Sequence, residues 1–131
     1  MNGYLLSASI IAFVVGLVHT VLGEVLIFRK LRQGRLIPTN GGSLLSESNV
    51  RILWASWHAL TAFGWAIAFI LFWLSKMTLS EAGGTYTVLE HTIAASMLVS
   101  AVLVLIGTKG KHPGWIGLSI VSVLVWMGTS V

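Results

Sequence analysis

From Leu5 to Phe28 Glu24 is the one charged residue and His19 the one imidazole, and every other position is apolar, small or hydroxylic. At a helical rise of about 1.5 Å per residue, a run of that length reaches across a hydrocarbon core of about 30 Å. Its backbone groups then have no water to bond and must satisfy one another, which makes the segment a helix. Within it Ser9, Ala12, Gly16, His19 and Gly23 recur at steps of three and four and share one helical face. An imidazole on such a face needs a partner on a neighbouring helix, because an unsatisfied polar group in hydrocarbon is costly. The chain is therefore read as helices packed around whatever His19 binds.

Three further apolar runs follow, in a chain that is 56% hydrophobic and 9% charged. Ordinary soluble domains are about 25% charged. The expected architecture is all-α: one integral membrane four-helix bundle over residues 1–131, with spans near 5–28, 52–75, 86–106 and 115–131, the last only just long enough to cross. The chain has no cysteine, which removes disulfides, thiolate metal sites, thiol nucleophiles and covalent haem attachment. No phosphate-binding glycine loop, nucleophile elbow or zinc-protease motif is present. The net charge of +4 does not mark a nucleic-acid binder, because the basic residues flank apolar spans.

Arg29, Lys30, Arg32, Arg35 and Arg51 surround the first connection, Lys109 and Lys111 lie in the third, and Lys76 alone falls in the second. This asymmetry places the two basic loops on the cytoplasmic side and both termini outside. Trp54, Trp57 and Trp115 then mark the inner interface and Trp73 the outer one. The long, uncharged start reads as a retained helix and not a cleaved signal peptide. Ser46 or Ser48 is expected to cap the second helix, with Glu47 near its positive end. The expected location is the cell (inner) membrane. The expected partners are the lipid bilayer and either further copies of the chain or another membrane subunit, with no nucleic acid.

The first two spans share a local device. His19 sits between Gly16 and Gly23, and His58 between Ala55 and Ala62, each at minus three and plus four. Small residues one turn either side of an imidazole clear a slot for a close backbone or a flat ligand. Counted from the inner boundary, His19 is about 13 Å and His58 about 9 Å deep. The pair is thus the first candidate for metal or haem binding, as two imidazoles without thiolate suit haem b or a transition metal. His91, about 10 Å further out than His19, and His112, on the inner loop, are secondary candidates. So is Glu24, which lies about 140° around an ideal helix from His19 and is no chelate partner for it. Glu24 instead suits a bond from Trp54 or Trp57, a pair with Arg51, or a proton-handling role.

Three functions are compatible with these residues: a metal- or haem-binding membrane protein, a small proton-coupled carrier or exporter, and an accessory subunit whose histidines are interhelical locks bonded to Thr20, Ser56, Thr61 or Ser96. The sequence names no substrate and no catalytic residue.

Overall fold

The computed structural model describes residues 1–77 and 84–129. The described chain is helical throughout its apolar runs: α1 (Gly3–Leu31), α2 (Glu47–Ser75), α3 (Gly84–Gly107) and α4 (Gly114–Gly128). Three helices, over Gly3–Leu31, Glu47–Ser75 and Tyr86–Gly107, are long and apolar enough to cross a membrane. The fourth has 15 residues and spans only about 22 Å, less than the hydrocarbon thickness. The expected end of the fourth span at 130–131, and most of the expected outer connection, lie outside the described residues. Large apolar side chains face outward along these helices, with Phe63, Phe69, Leu103 and Ile106 each more than 60% exposed. Apolar surface on that scale is compatible with a lipid surround.

The helices begin earlier than the apolar runs because polar residues cap them. Asn2 Oδ1 accepts the amides of Tyr4 and Leu5 at 3.1 and 3.2 Å, an N-cap for α1. Ser46 Oγ accepts the Asn49 amide at 3.3 Å and caps α2, and Glu47 at its first position pairs with Arg51 one turn on.

Contacts divide the chain into two compact units. The first, residues 1–15 and 64–131, has a core of Leu5, Ala8 and Ala12 from α1, Ala68, Leu71 and Leu74 from α2, Ile93, Ala94 and Met97 from α3, and Val121 and Val125 from α4. The many alanines let the helix backbones approach closely enough for hydroxyls to bond across them. Ser9 Oγ donates to the Ala68 carbonyl at 2.7 Å, and Ser122 Oγ to that of Ala94 at 2.8 Å. Asn2 also donates from its amide to Ser75 O (2.7 Å) and from Nδ2 to Gly128 O (2.8 Å). The start of α1 and the ends of α2 and α4 therefore lie at one level of this unit. Trp73 and Tyr86 meet edge to face at 6.3 Å, which brings the start of α3 to the same end.

The second unit, residues 16–63, holds the end of α1, the following loop and the start of α2. Here α1 changes pitch: Gly23–Phe28 is π-helical, with the Arg29 amide reaching back to Glu24 O, before Arg29–Leu31 returns to α. The helix stops where Arg32 turns extended (φ −87°, ψ 134°). The amides of Thr39 and Asn40 both come back to Leu31 O, at 3.2 and 3.1 Å, so the loop covers the end of the helix. Phe28, Pro38 and Val50 are buried in this unit.

Candidate functional site

The second unit contains the residues singled out from the sequence in the first two spans. Trp54 and His58 are four apart on α2 and project together, and their rings meet edge to face at 4.9 Å. Trp57 and Thr61 form the neighbouring stripe. Opposite them α1 presents Thr20, His19, Gly23 and Glu24.

Glu24 is the centre of the polar contacts. Its Oε1 accepts the Trp54 indole N–H at 2.9 Å and lies 2.9 Å from His58 Nε2, while Oε2 pairs with the Arg32 guanidinium at 2.5 Å. The expected Trp54 bond is present. The expected pairing with Arg51 is not, because Arg51 is engaged by Glu47 on its own helix. Arg32 takes its place, and the sequence carried no signal for this: eight positions on from Glu24, its side chain returns only because the helix ends and the backbone turns at Arg32 itself.

His19 lies flat on Trp57, with ring centroids 4.2 Å apart and planes 6° from parallel, and the Trp57 indole donates to the His19 carbonyl at 3.0 Å. A Cβ at Gly23 would fall inside the Trp57 indole, so the absence of a side chain there is what admits the ring. Thr20 and Thr61 bond to each other at 2.7 Å, and Phe28 closes the cluster with its edge on Trp57 at 5.8 Å.

Chemically, a carboxylate and an imidazole in one short contact share a hydrogen bond whose direction follows their protonation. With Glu24 ionised, His58 Nε2–H donates; with Glu24 protonated, the same two atoms bond with the roles reversed. Arg32 supplies a permanent positive charge on the other carboxylate oxygen. Side-chain exposures of 29% for Glu24, 27% for His58 and 25% for Arg32 leave the cluster in contact with its surroundings.

His91 and His112 belong to the other unit. His91 Nδ1 bonds the Thr87 carbonyl one turn back at 2.7 Å and its ring meets the edge of Trp126 at 5.6 Å. His112 Nδ1 accepts the Gly114 amide at 3.0 Å, at the turn that starts α4. Among the described residues no three or more His, Asp or Glu side chains converge as a metal would require. The imidazoles expected to face a ligand across the slot are engaged instead by Trp57 and Glu24, and the geometry lends the metal and haem readings no support. Comparison with protein-family models, with curated proteins and with solved structures gives no match.

Proposed function

We propose that the chain is a polytopic integral membrane protein in which Glu24 and His58 hold an exchangeable proton near the cytoplasmic edge of the bilayer, the device a small proton-coupled carrier needs. The observation that carries this reading is the 2.9 Å contact between Glu24 Oε1 and His58 Nε2, set between two apolar helices and backed by Arg32. Ionisable groups in such segments mark ion and proton paths. The basic residues around the first and third connections support a cytoplasmic position for both, with α4 as a short fourth crossing. Asn2, bonded at once to the ends of α2 and α4, supports placing both termini on one side.

The test is infrared difference spectroscopy between acidic and neutral pH on the protein reconstituted in vesicles, together with a vesicle-lumen pH dye. A protonated-carboxyl band that vanishes in Glu24→Gln and shifts in His58→Gln, with proton flux reduced in both, is the expected result. A spectrum with no pH-dependent carboxyl or imidazole signal overturns it and leaves the cluster as an interhelical lock in an accessory subunit. The Thr20–Thr61 bond and the Trp57–His19 contact favour that second reading. His19 and His58 as ligands of haem b or a transition metal rest on the small-residue spacing alone. A Soret band, or stoichiometric metal in the protein purified in mild detergent, would support that assignment.

A further inference from the structure

The loop between α1 and α2 combines two features that a water-facing loop does not need. Leu36 is 79% and Leu44 91% exposed, although Pro38 between them is buried. The loop is nevertheless folded: Thr39 and Asn40 bond back to Leu31 O, Gly41 and Leu45 form an antiparallel bridge, and Asn40 Oδ1 accepts the Gly42 amide. Its leucines are thus held outward by a fixed backbone, with Gly34 and Gly42 at positive φ making the turns.

The second feature is charge. Arg29 and Lys30 at the end of α1 and Arg35 beside Leu36 are exposed. Among the described residues, the carboxylates that form ion pairs are Glu24 and Glu47, and they engage Arg32, His58 and Arg51. Among the described residues these three cations enter none of those ion pairs, and they lie exposed on the same helix end and loop as the two outward leucines.

We propose that this loop docks on an anionic phospholipid surface: Leu36 and Leu44 insert at the boundary between headgroups and acyl chains, and Arg29, Lys30 and Arg35 engage the lipid phosphates. Apolar side chains beside cations are the composition of interfacial segments, and each cation near an anionic bilayer surface strengthens association about five-fold. Charge complementarity selects this occupant, since an acidic protein surface would leave the leucines unsatisfied. The inference rests on the membrane-spanning reading above and is independent of the proton site.

The cysteine-free chain allows a single nitroxide to be placed by Leu44→Cys in the whole 131-residue chain, reconstituted in vesicles of phosphatidylcholine with or without phosphatidylglycerol. Accessibility to oxygen, which partitions into lipid, against a water-soluble nickel chelate measures depth. The label is expected below the headgroups in phosphatidylglycerol vesicles and shallower in phosphatidylcholine. The Arg29→Gln, Lys30→Gln, Arg35→Gln triple variant is expected to lose that difference, and inorganic phosphate at matched ionic strength to leave it unchanged. A label equally water-accessible in both vesicles overturns the proposal, as does a depth indifferent to anionic lipid or a difference abolished by free phosphate. A second label at Phe69→Cys, on an exposed mid-helix position, separates the two failures. Oxygen access at Phe69 with water access at Leu44 refutes the loop docking alone, whereas water access at both refutes membrane insertion.

Discussion

His19 lies on the face of Trp57 with 4.2 Å between ring centroids, and the same indole donates its N–H to the His19 backbone carbonyl. One side chain of α2 thereby fixes both the ring and the main chain of one residue on α1. The slot that glycine opens beside the imidazole is filled by tryptophan, so close packing and position at this point depend on Gly23.

Gly23→Val is therefore expected to destabilise the fold by about 1–3 kcal/mol, the range for forcing atoms into a packed contact. Trp57→Leu in the same chain should restore part of the loss, because the group that the new side chain meets is gone. Thermal unfolding of the single and double variants in detergent checks this. Equal losses that simply add would show that Gly23 and Trp57 do not share the contact.

Glu24→Gln and His58→Gln should each lower stability, and the double variant should lower it by less than their sum. Groups in one hydrogen-bonded network couple by about 0.5–3 kcal/mol. The Arg32→Gln variant enters the same cycle with Glu24→Gln but with His58→Gln only through the carboxylate, so its coupling to His58 is expected to be the smaller. Unfolding titrations of the six single and double variants measure all three couplings.

The helices and the existence of a polar cluster in the first two spans were legible in the sequence, because apolar run length and the rarity of charge permit little else. An indole donor to Glu24 is legible too, since an indole and a carboxylate at similar depth on neighbouring helices are natural partners, but the spacing leaves Trp54 and Trp57 equal and the structure selects Trp54. The π-helical turn at Gly23–Phe28 was not, because nothing in Gly-Glu-Val-Leu-Ile-Phe distinguishes it from an α-turn. With it went the position of Glu24, which an ideal helix misplaces, and the return of Arg32. The Glu24 contact of His58 is not legible, because spacing reports which residues are small and not what fills the room they leave. The loop leucines give no sequence signal, because isolated apolar residues in a loop carry no periodicity.

Ser9→Ala removes the hydroxyl that bonds the Ala68 carbonyl, and Ser122→Ala does the same for Ala94. Both sites are buried between close helices, and interhelical bonds of this kind in membrane proteins contribute about 0.6 kcal/mol on average. Each variant is expected to fold with a loss of that order, and the pair to be additive, since the two bonds join different helices. Unfolding in mixed detergent micelles measures it. A loss several times larger in either variant would mean that the hydroxyl also fills volume that alanine leaves empty.

Asn2 separates two contributions at one position. Its Oδ1 caps α1 through Tyr4 and Leu5, and its Nδ2 donates to the Gly128 carbonyl at the end of α4. Asn2→Ala loses both and should cost about 0.5–2 kcal/mol, the usual range for a lost cap. Asn2→Asp keeps the acceptor, and its charge is favourable at a helix N-terminus, but it sets a carboxylate oxygen against the Gly128 carbonyl. Amide hydrogen exchange tells the two apart. Protection at Tyr4 and Leu5 should fall in Asn2→Ala and persist in Asn2→Asp, whereas protection at Thr129, whose amide closes the last turn of α4 on Val125, should fall in both. Protection at Thr129 unchanged in both variants would show that α4 holds its end without the Asn2 side chain, whose role is then the cap on α1.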